Sequence, residues 1–153
     1  MNKAPHPKPM PSSPAAQIAR GTIRFLIERG NSCIGEFTFN TGRRADIIAI
    51  DRKGIITIVE VKSSQADFRS DVKWREYLTF CDLFYFAVAN DFPSNVLPTD
   101  CGLMVADAYG ASIVYAAKPN TLNSARRKSI TLRFAQVSAR RLIRFTDPDW
   151  VRG

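Results

Sequence analysis

The chain has 153 residues, 45% hydrophobic and 24% charged, the size and make-up of one globular domain able to bury a continuous core. No apolar run approaches the roughly 20 residues that span a bilayer and the N-terminus lacks a secretion signal, so the expectation is a soluble, cytoplasmic protein rather than a membrane one. The net charge of +8 sits at one end, with 13 Lys and Arg against 12 Asp and Glu over residues 1–117 but 9 against 2 over residues 118–153, the footprint of a polyanion binder, nucleic acid before anionic membrane.

Residues 1–14, MNKAPHPKPMPSSP, hold five of the nine prolines and no acidic residue. They predict a disordered or extended tail ahead of a single domain over residues 15–153. Ser13 and Pro14 form an N-cap and first-turn pair, and Ala15, Ile18, Ala19, Thr22, Phe25 and Leu26 then recur at helical spacing up to Gly30. Gly21 weakens that helix by the roughly 1 kcal/mol that glycine costs relative to alanine. Three β-rich runs follow, SCIGEFTF, RADIIAI and IITIVEV, separated by the turn clusters Asn40-Thr41-Gly42 and Arg52-Lys53-Gly54. They read as an antiparallel meander.

Residues 66–81 return to helical spacing, with Phe68, Val72, Leu78 and Cys81 available for a buried stripe. LFYFAVAN, residues 83–90, is nearly all apolar and reads as a central strand; a helix between it and the preceding strand implies a crossover and a parallel pairing. CGLMVADAYG and ASIVYAA read as two weaker strands around Gly110, and residues 123–145 as one or two basic amphipathic helices. The order αβββαβββα is an α/β fold, a central mixed sheet flanked by helices. Cys33, Cys81 and Cys101 are odd in number and set among apolar neighbours, and the single histidine, His6, lies in the tail. Buried thiols in a reducing compartment fit better than disulfides or a zinc site.

The stretch RRADIIAIDRKGIITIVEVKSS places Asp46, Glu60 and Lys62 among isoleucines and valines. If Arg52-Lys53-Gly54 is a three-residue loop with glycine in the left-handed position, Asp51 pairs with Ile55 and the count back pairs Asp46 with Glu60. Alternation puts Lys62 on the same face as Glu60, with Val59 and Val61 on the other. Two carboxylates directly opposite on a sheet repel, and burial raises the cost. One lysine against two acids leaves room for a divalent cation with hard oxygen ligands, Mg²⁺ with Mn²⁺ as a substitute. Such a cation beside an ammonium is the equipment for phosphodiester hydrolysis. An E-x-K on a strand is otherwise common surface decoration.

Asp46 followed by Glu60-Val61-Lys62 at the end of an apolar strand, with a helix before and after, resembles the PD-(D/E)XK nuclease core, with Ala45 where that pattern has proline. SDVKWREYLTFCDLFYFAVAN resembles the MmcB family of bacterial DNA-repair proteins, a likeness that spans residues 15–145. The resemblance implies a restriction-endonuclease-like fold, DNA as partner alongside other repair proteins, metal ligation by Asp46, Glu60 and the Val61 carbonyl, and Lys62 as catalytic lysine. It also implies a polar and an aromatic residue on the following helix, matched by Lys73 and Tyr77. A further glutamate is expected from Glu28 or Glu36, with Glu36 favoured for its place near the Asp46 strand.

Arg43 and Arg44, at the mouth of that strand, are candidates for holding a phosphate backbone, as are Arg126, Arg127, Arg133, Arg140, Arg141 and Arg144 near the C-terminus. Trp74 reads as core rather than as a base-stacking platform. Two functions stay open: a Mg²⁺-dependent endonuclease in DNA repair, and a non-catalytic DNA-binding scaffold that keeps the nuclease fold.

Overall fold

The computed structural model describes residues 8–150; the first half of the expected tail, His6 included, lies outside them. Six strands form one sheet in sequence order: β1 (Ser32–Thr38), β2 (Arg44–Ile50), β3 (Ile56–Lys62), β4 (Leu83–Val88), β5 (Gly102–Ala106) and β6 (Ala111–Tyr115). β1, β2 and β3 are the expected antiparallel meander, β3, β4 and β5 run parallel, and β6 returns antiparallel. Every residue of β3 is buried, which is why its sequence is apolar on both alternating faces and why its two charged residues need a reason.

Helix α1 (Pro14–Glu28) covers one face. It begins where the Ser13 hydroxyl accepts the Ala16 N–H at 3.1 Å, and Gly30, at φ +85°, follows its end. Ile18 and Leu26 pack there with Ile47, Val59, Val61, Tyr85 and Met104. A Cβ on Gly21 would lie 1.8 Å from the Asp107 carbonyl oxygen and 2.6 Å from that of Gly110. The residue that weakens helix propensity is therefore the one that lets α1 lie against the β5–β6 turn.

The other face carries α2 (Gln65–Ser70), a 3₁₀ helix (Trp74–Phe80) and α3 (Ser124–Thr146). Here the single helix expected over residues 66–81 is corrected: it breaks at Asp71, whose φ and ψ of −90° and 88° leave the helical region. Asp71 is pulled aside by two partners, the Lys62 Nζ at 2.8 Å and the Lys73 N–H at 3.1 Å. Val72, expected in the buried stripe, falls in this break and is 80% exposed. Downstream, the three-residue turn of the 3₁₀ helix sets Trp74, Tyr77 and Phe80 on one side, facing the sheet. Trp74 stacks on Phe84 with centroids 5.6 Å apart, as a core residue does.

The basic C-terminal region is one helix, α3, of 23 residues. Asn123 caps it by accepting the Ala125 and Arg126 N–H groups. Arg127 fastens it to the sheet by a bidentate pair with Asp82, both contacts at 2.6 Å, and by a third bond to the Gly54 carbonyl at 2.7 Å. All three cysteines are free, and burial pushes the Cys81 thiol up to about 12 and those of Cys33 and Cys101 to about 11, so they act as small apolar side chains.

Candidate active site

The hairpin that sets the site is specified by its turn. Gly54 has φ +82°, its N–H bonds the Asp51 carbonyl at 3.0 Å, and the Asp51 N–H bonds the Ile55 carbonyl at 3.1 Å. The Asp51 carboxylate braces this loop by accepting the Lys53 and Ile55 N–H groups. The ladder then runs Ile50↔Ile56, Ala49↔Thr57, Ile48↔Ile58 and Ile47↔Val59. One step further along the same count, Asp46 stands opposite Glu60.

At that step side chains replace the backbone ladder. The Val61 N–H donates to Asp46 Oδ2 at 2.8 Å and the Asp46 N–H donates to Glu60 Oε1 at 3.2 Å. Glu60 and Lys62 are each 5% exposed and share the face of β3 that looks toward α2 and the 3₁₀ helix. Burial, and then the charge of Asp46, push the Glu60 carboxyl up to about 8. Burial likewise raises Asp46, against the opposing pull of the Val61 N–H. Both carboxyls are raised although the charge of Lys62 pulls each down, so the pair lacks a positive partner strong enough to balance it.

Lys62 does not fill that role. Its ammonium turns to Asp71 at 2.8 Å and, more distantly, to Asp67 at 4.0 Å. Asp67 also caps α2, where its carboxylate accepts the Ser63 N–H while the Ser64 hydroxyl accepts the Asp67 N–H. Asp67 and Asp71 are the site residues that the sequence reading missed. The available signal was their spacing, four residues apart and one helical turn after a strand ending in lysine.

Tyr77 lies beside the pair: its hydroxyl donates to the Arg44 carbonyl, and burial, then Glu60 and Asp46, raise its pKa. Arg43 pairs with Glu76 and lies over the Tyr77 ring, 5.8 Å from its centroid. Arg43, Arg44, Lys73 and Tyr77, with Thr41, Gly42, Glu76 and Phe80, line a cleft of about 460 Å³. Glu36 also stands opposite Asp46 in the β1–β2 count, between Gly35↔Ile47 and Phe37↔Ala45. There, however, its φ of +50° breaks the pairing, and its side chain is exposed. Glu28 ends α1, which packs on the opposite face of the sheet.

The arginines of α3 divide. Arg127 is held by Asp82, Arg133 donates to the Thr38 carbonyl and Asn40, and Arg141 to the Gly35 and Glu36 carbonyls along the β1 edge. Arg126, Arg140 and Arg144 are exposed. Arg126 rests on Phe80 at 4.8 Å and bonds the Thr79 carbonyl. The single stripe expected from spacing is thus partly used to bind helix to sheet. Among the described residues no three His, Cys, Asp or Glu side chains gather as a metal cluster, and no helix is long and apolar enough to cross a membrane.

The sequence model of the MmcB-like DNA repair protein family matches residues 2–149. Among solved structures, a protein of unknown function from Silicibacter pomeroyi is 41% identical, with a TM-score of 0.89 over 92% of this chain and 96% of that one. No curated protein matches. A match over nearly the full length, to a family whose resemblance was already carried by the stretch SDVKWREYLTFCDLFYFAVAN, places the chain in the MmcB-like family of DNA repair proteins.

Proposed function

We propose that the protein is a metal-dependent deoxyribonuclease, an endonuclease of the PD-(D/E)XK kind acting in DNA repair. The observation that carries this reading is the buried Asp46–Glu60 pair, both carboxyls raised by burial, with Lys62 on the same face. Evolving such a pair into the middle of a fully buried strand costs stability, and strain of that kind gathers at functional sites.

The donor set fits Mg²⁺ or Mn²⁺: two hard carboxylates, and the Val61 carbonyl implied by the resemblance, in a sparse set that leaves positions for waters and a phosphate. When bound, such a cation polarises a phosphoryl oxygen and acidifies a water. The protein's own residues do the rest. Asp46 and Glu60 would hold the cation; Lys62, kept in place by Asp71 at 2.8 Å, would offset the negative charge that develops on the phosphate. Arg43, Arg44 and Lys73 hold the flanking backbone.

One observation favours a second reading, a DNA-binding scaffold without catalysis: Lys62 is already committed to Asp71 at 2.8 Å. The test is a panel of labelled single-stranded, duplex, flapped and forked DNAs incubated with Mg²⁺, Mn²⁺ or EDTA, beside Asp46→Ala and Lys62→Ala. Metal-dependent cutting that both substitutions reduce by at least about a thousandfold is the expected result. Binding without cutting in any metal would overturn the nuclease reading in favour of the scaffold.

A further inference from the structure

The 3₁₀ helix carries a feature that catalysis alone does not require. Its inward aromatics each carry an arginine guanidinium, contributed by the helix itself, the β1–β2 turn and α3: Arg75 over Trp74 at 4.4 Å, Arg43 over Tyr77 at 5.8 Å and Arg126 over Phe80 at 4.8 Å. Arg75 is otherwise tied only to Asp100, at 3.6 Å, and its side chain is 62% exposed. Arg126 is exposed as well, while Arg43, paired with Glu76, keeps 23% of its side chain exposed. A guanidinium laid over a ring buries one face and can offer the other to a further flat group.

We infer that this row of Arg75, Arg43 and Arg126 along the 3₁₀ helix is a track for single-stranded DNA leading to the carboxylate pair, each guanidinium a platform for one unpaired base. The inference rests on the nuclease-like, DNA-binding reading above and deepens it by naming the strand form.

Spacing separates a single strand from a duplex. Aromatics three residues apart on a 3₁₀ helix repeat about every 6 Å along its axis. A stacked strand in a duplex advances roughly 3.4 Å per nucleotide. A strand that follows the repeat of the rings, one base to each ring-backed guanidinium, is extended and unstacked, and unpaired bases stack on aromatic and guanidinium planes without regard to sequence. Volume points the same way. The cleft beside Arg43 measures about 460 Å³, and its neighbour across Phe80, lined by Asn40, Arg126 and Arg133, about 350 Å³. These are sizes that enclose a small ligand of one or two nucleotides. Finally, Glu60 and Lys62 lie at the floor of the site, 5% exposed each, within closer reach of a flexible strand than of a stiff double helix.

The experiment uses the full chain in EDTA, so that no cutting intervenes. Fluorescence anisotropy measures binding of an oligothymidine of about 15 nucleotides and of a duplex of equal length, by wild type and by the double variant Arg75→Lys with Arg126→Lys. Lysine keeps the charge and loses the plane, and a thermal melt of the variant confirms folding. The expected results are a preference of about tenfold or more for the single strand, and loss of most of that preference in the variant with duplex binding unchanged. Equal or tighter duplex binding by wild type, or a lysine variant that keeps the full preference, would overturn the track. Each proposal has its own failure: a duplex-preferring protein that cuts in Mg²⁺ overturns the track and leaves the nuclease reading standing. A single-strand binder that never cuts does the reverse, and a protein that binds neither DNA overturns both.

Discussion

Two carboxylate clusters sit at opposite ends of β3, and they are built on opposite plans. At the start of the strand, burial pushes the Asp82 carboxyl up, but Arg127 and the Ile56 and Leu122 N–H groups outweigh it and hold the pKa below its ordinary 3.8. At the end of the strand, Glu60 faces Asp46 with no cation between them, and its carboxyl rises to about 8. The first cluster is closed: a charge with its counter-charge in bidentate geometry. The second is open: burial and the charge of Asp46 outweigh the pull of Lys62 on Glu60. Asp82 and Glu60, 6% and 5% exposed, are told apart by what faces them, not by how deeply they are buried.

Breaking the closed cluster gives the largest effect on stability. Arg127→Ala leaves Asp82 buried and unpaired and is expected to cost about 3 kcal/mol, a fall of roughly 10 °C in thermal midpoint. Adding Asp82→Asn to that variant should recover part of the loss, because it removes the stranded charge. A full-strength fold after Arg127→Ala alone would mean that the pair is not what fastens α3.

The open cluster answers with the opposite sign. Glu60→Gln removes the repulsion and should raise stability by about 2 kcal/mol, roughly 5 °C, at pH 8 in EDTA, while removing metal-dependent cutting. In the wild type the folded state keeps a Glu60 proton that the unfolded chain releases at its ordinary 4.5. Stability from this group is complete below about pH 4.5 and is lost as pH rises toward 8. Asp82 acts in the other direction, contributing above 3.8 and losing its contribution as pH falls. Melts across pH 4.5 to 8 in EDTA should therefore decline for wild type and stay flatter for Glu60→Gln; identical slopes would count against the open cluster.

Smaller effects sharpen the picture. Asp71→Asn keeps an acceptor for the Lys73 N–H but removes the charge that holds the Lys62 ammonium, and should lower cutting about tenfold with little change in DNA affinity or thermal midpoint. Asp71→Glu, which restores the charge, should recover part of that rate. Smallest of all, Arg140→Ala with Arg144→Ala should reduce the salt dependence of single-strand binding by about 1.4 in log–log slope, near 0.7 for each charge lost. Arg141, which bonds the Gly35 and Glu36 carbonyls, would lower stability as well and so confuse that measurement.

What could be read without the fold was set by local chemistry. The three-residue loop ending in Gly54 determined the register of β2 against β3, and the register put Asp46 opposite Glu60. Ser13 and Pro14 determined where α1 begins, and an apolar strand after a helical stretch determined that β4 pairs parallel with β3. Each of these rests on a few adjacent residues whose backbone preferences hold in almost any surroundings.

The tertiary structure decided the rest, wherever a residue's partner was distant in sequence. Asp71 has ordinary helical neighbours and leaves the helix because Lys62, nine residues earlier, reaches it across the fold. Arg127 reads as one more charge on a basic helix until Asp82, 45 residues away, takes both its guanidinium arms. Gly21 reads as a weak point until the Asp107 and Gly110 carbonyls are found against it. Periodicity records which face of an element a side chain occupies; only the packed fold brings to that face the charge or carbonyl that decides what the side chain does.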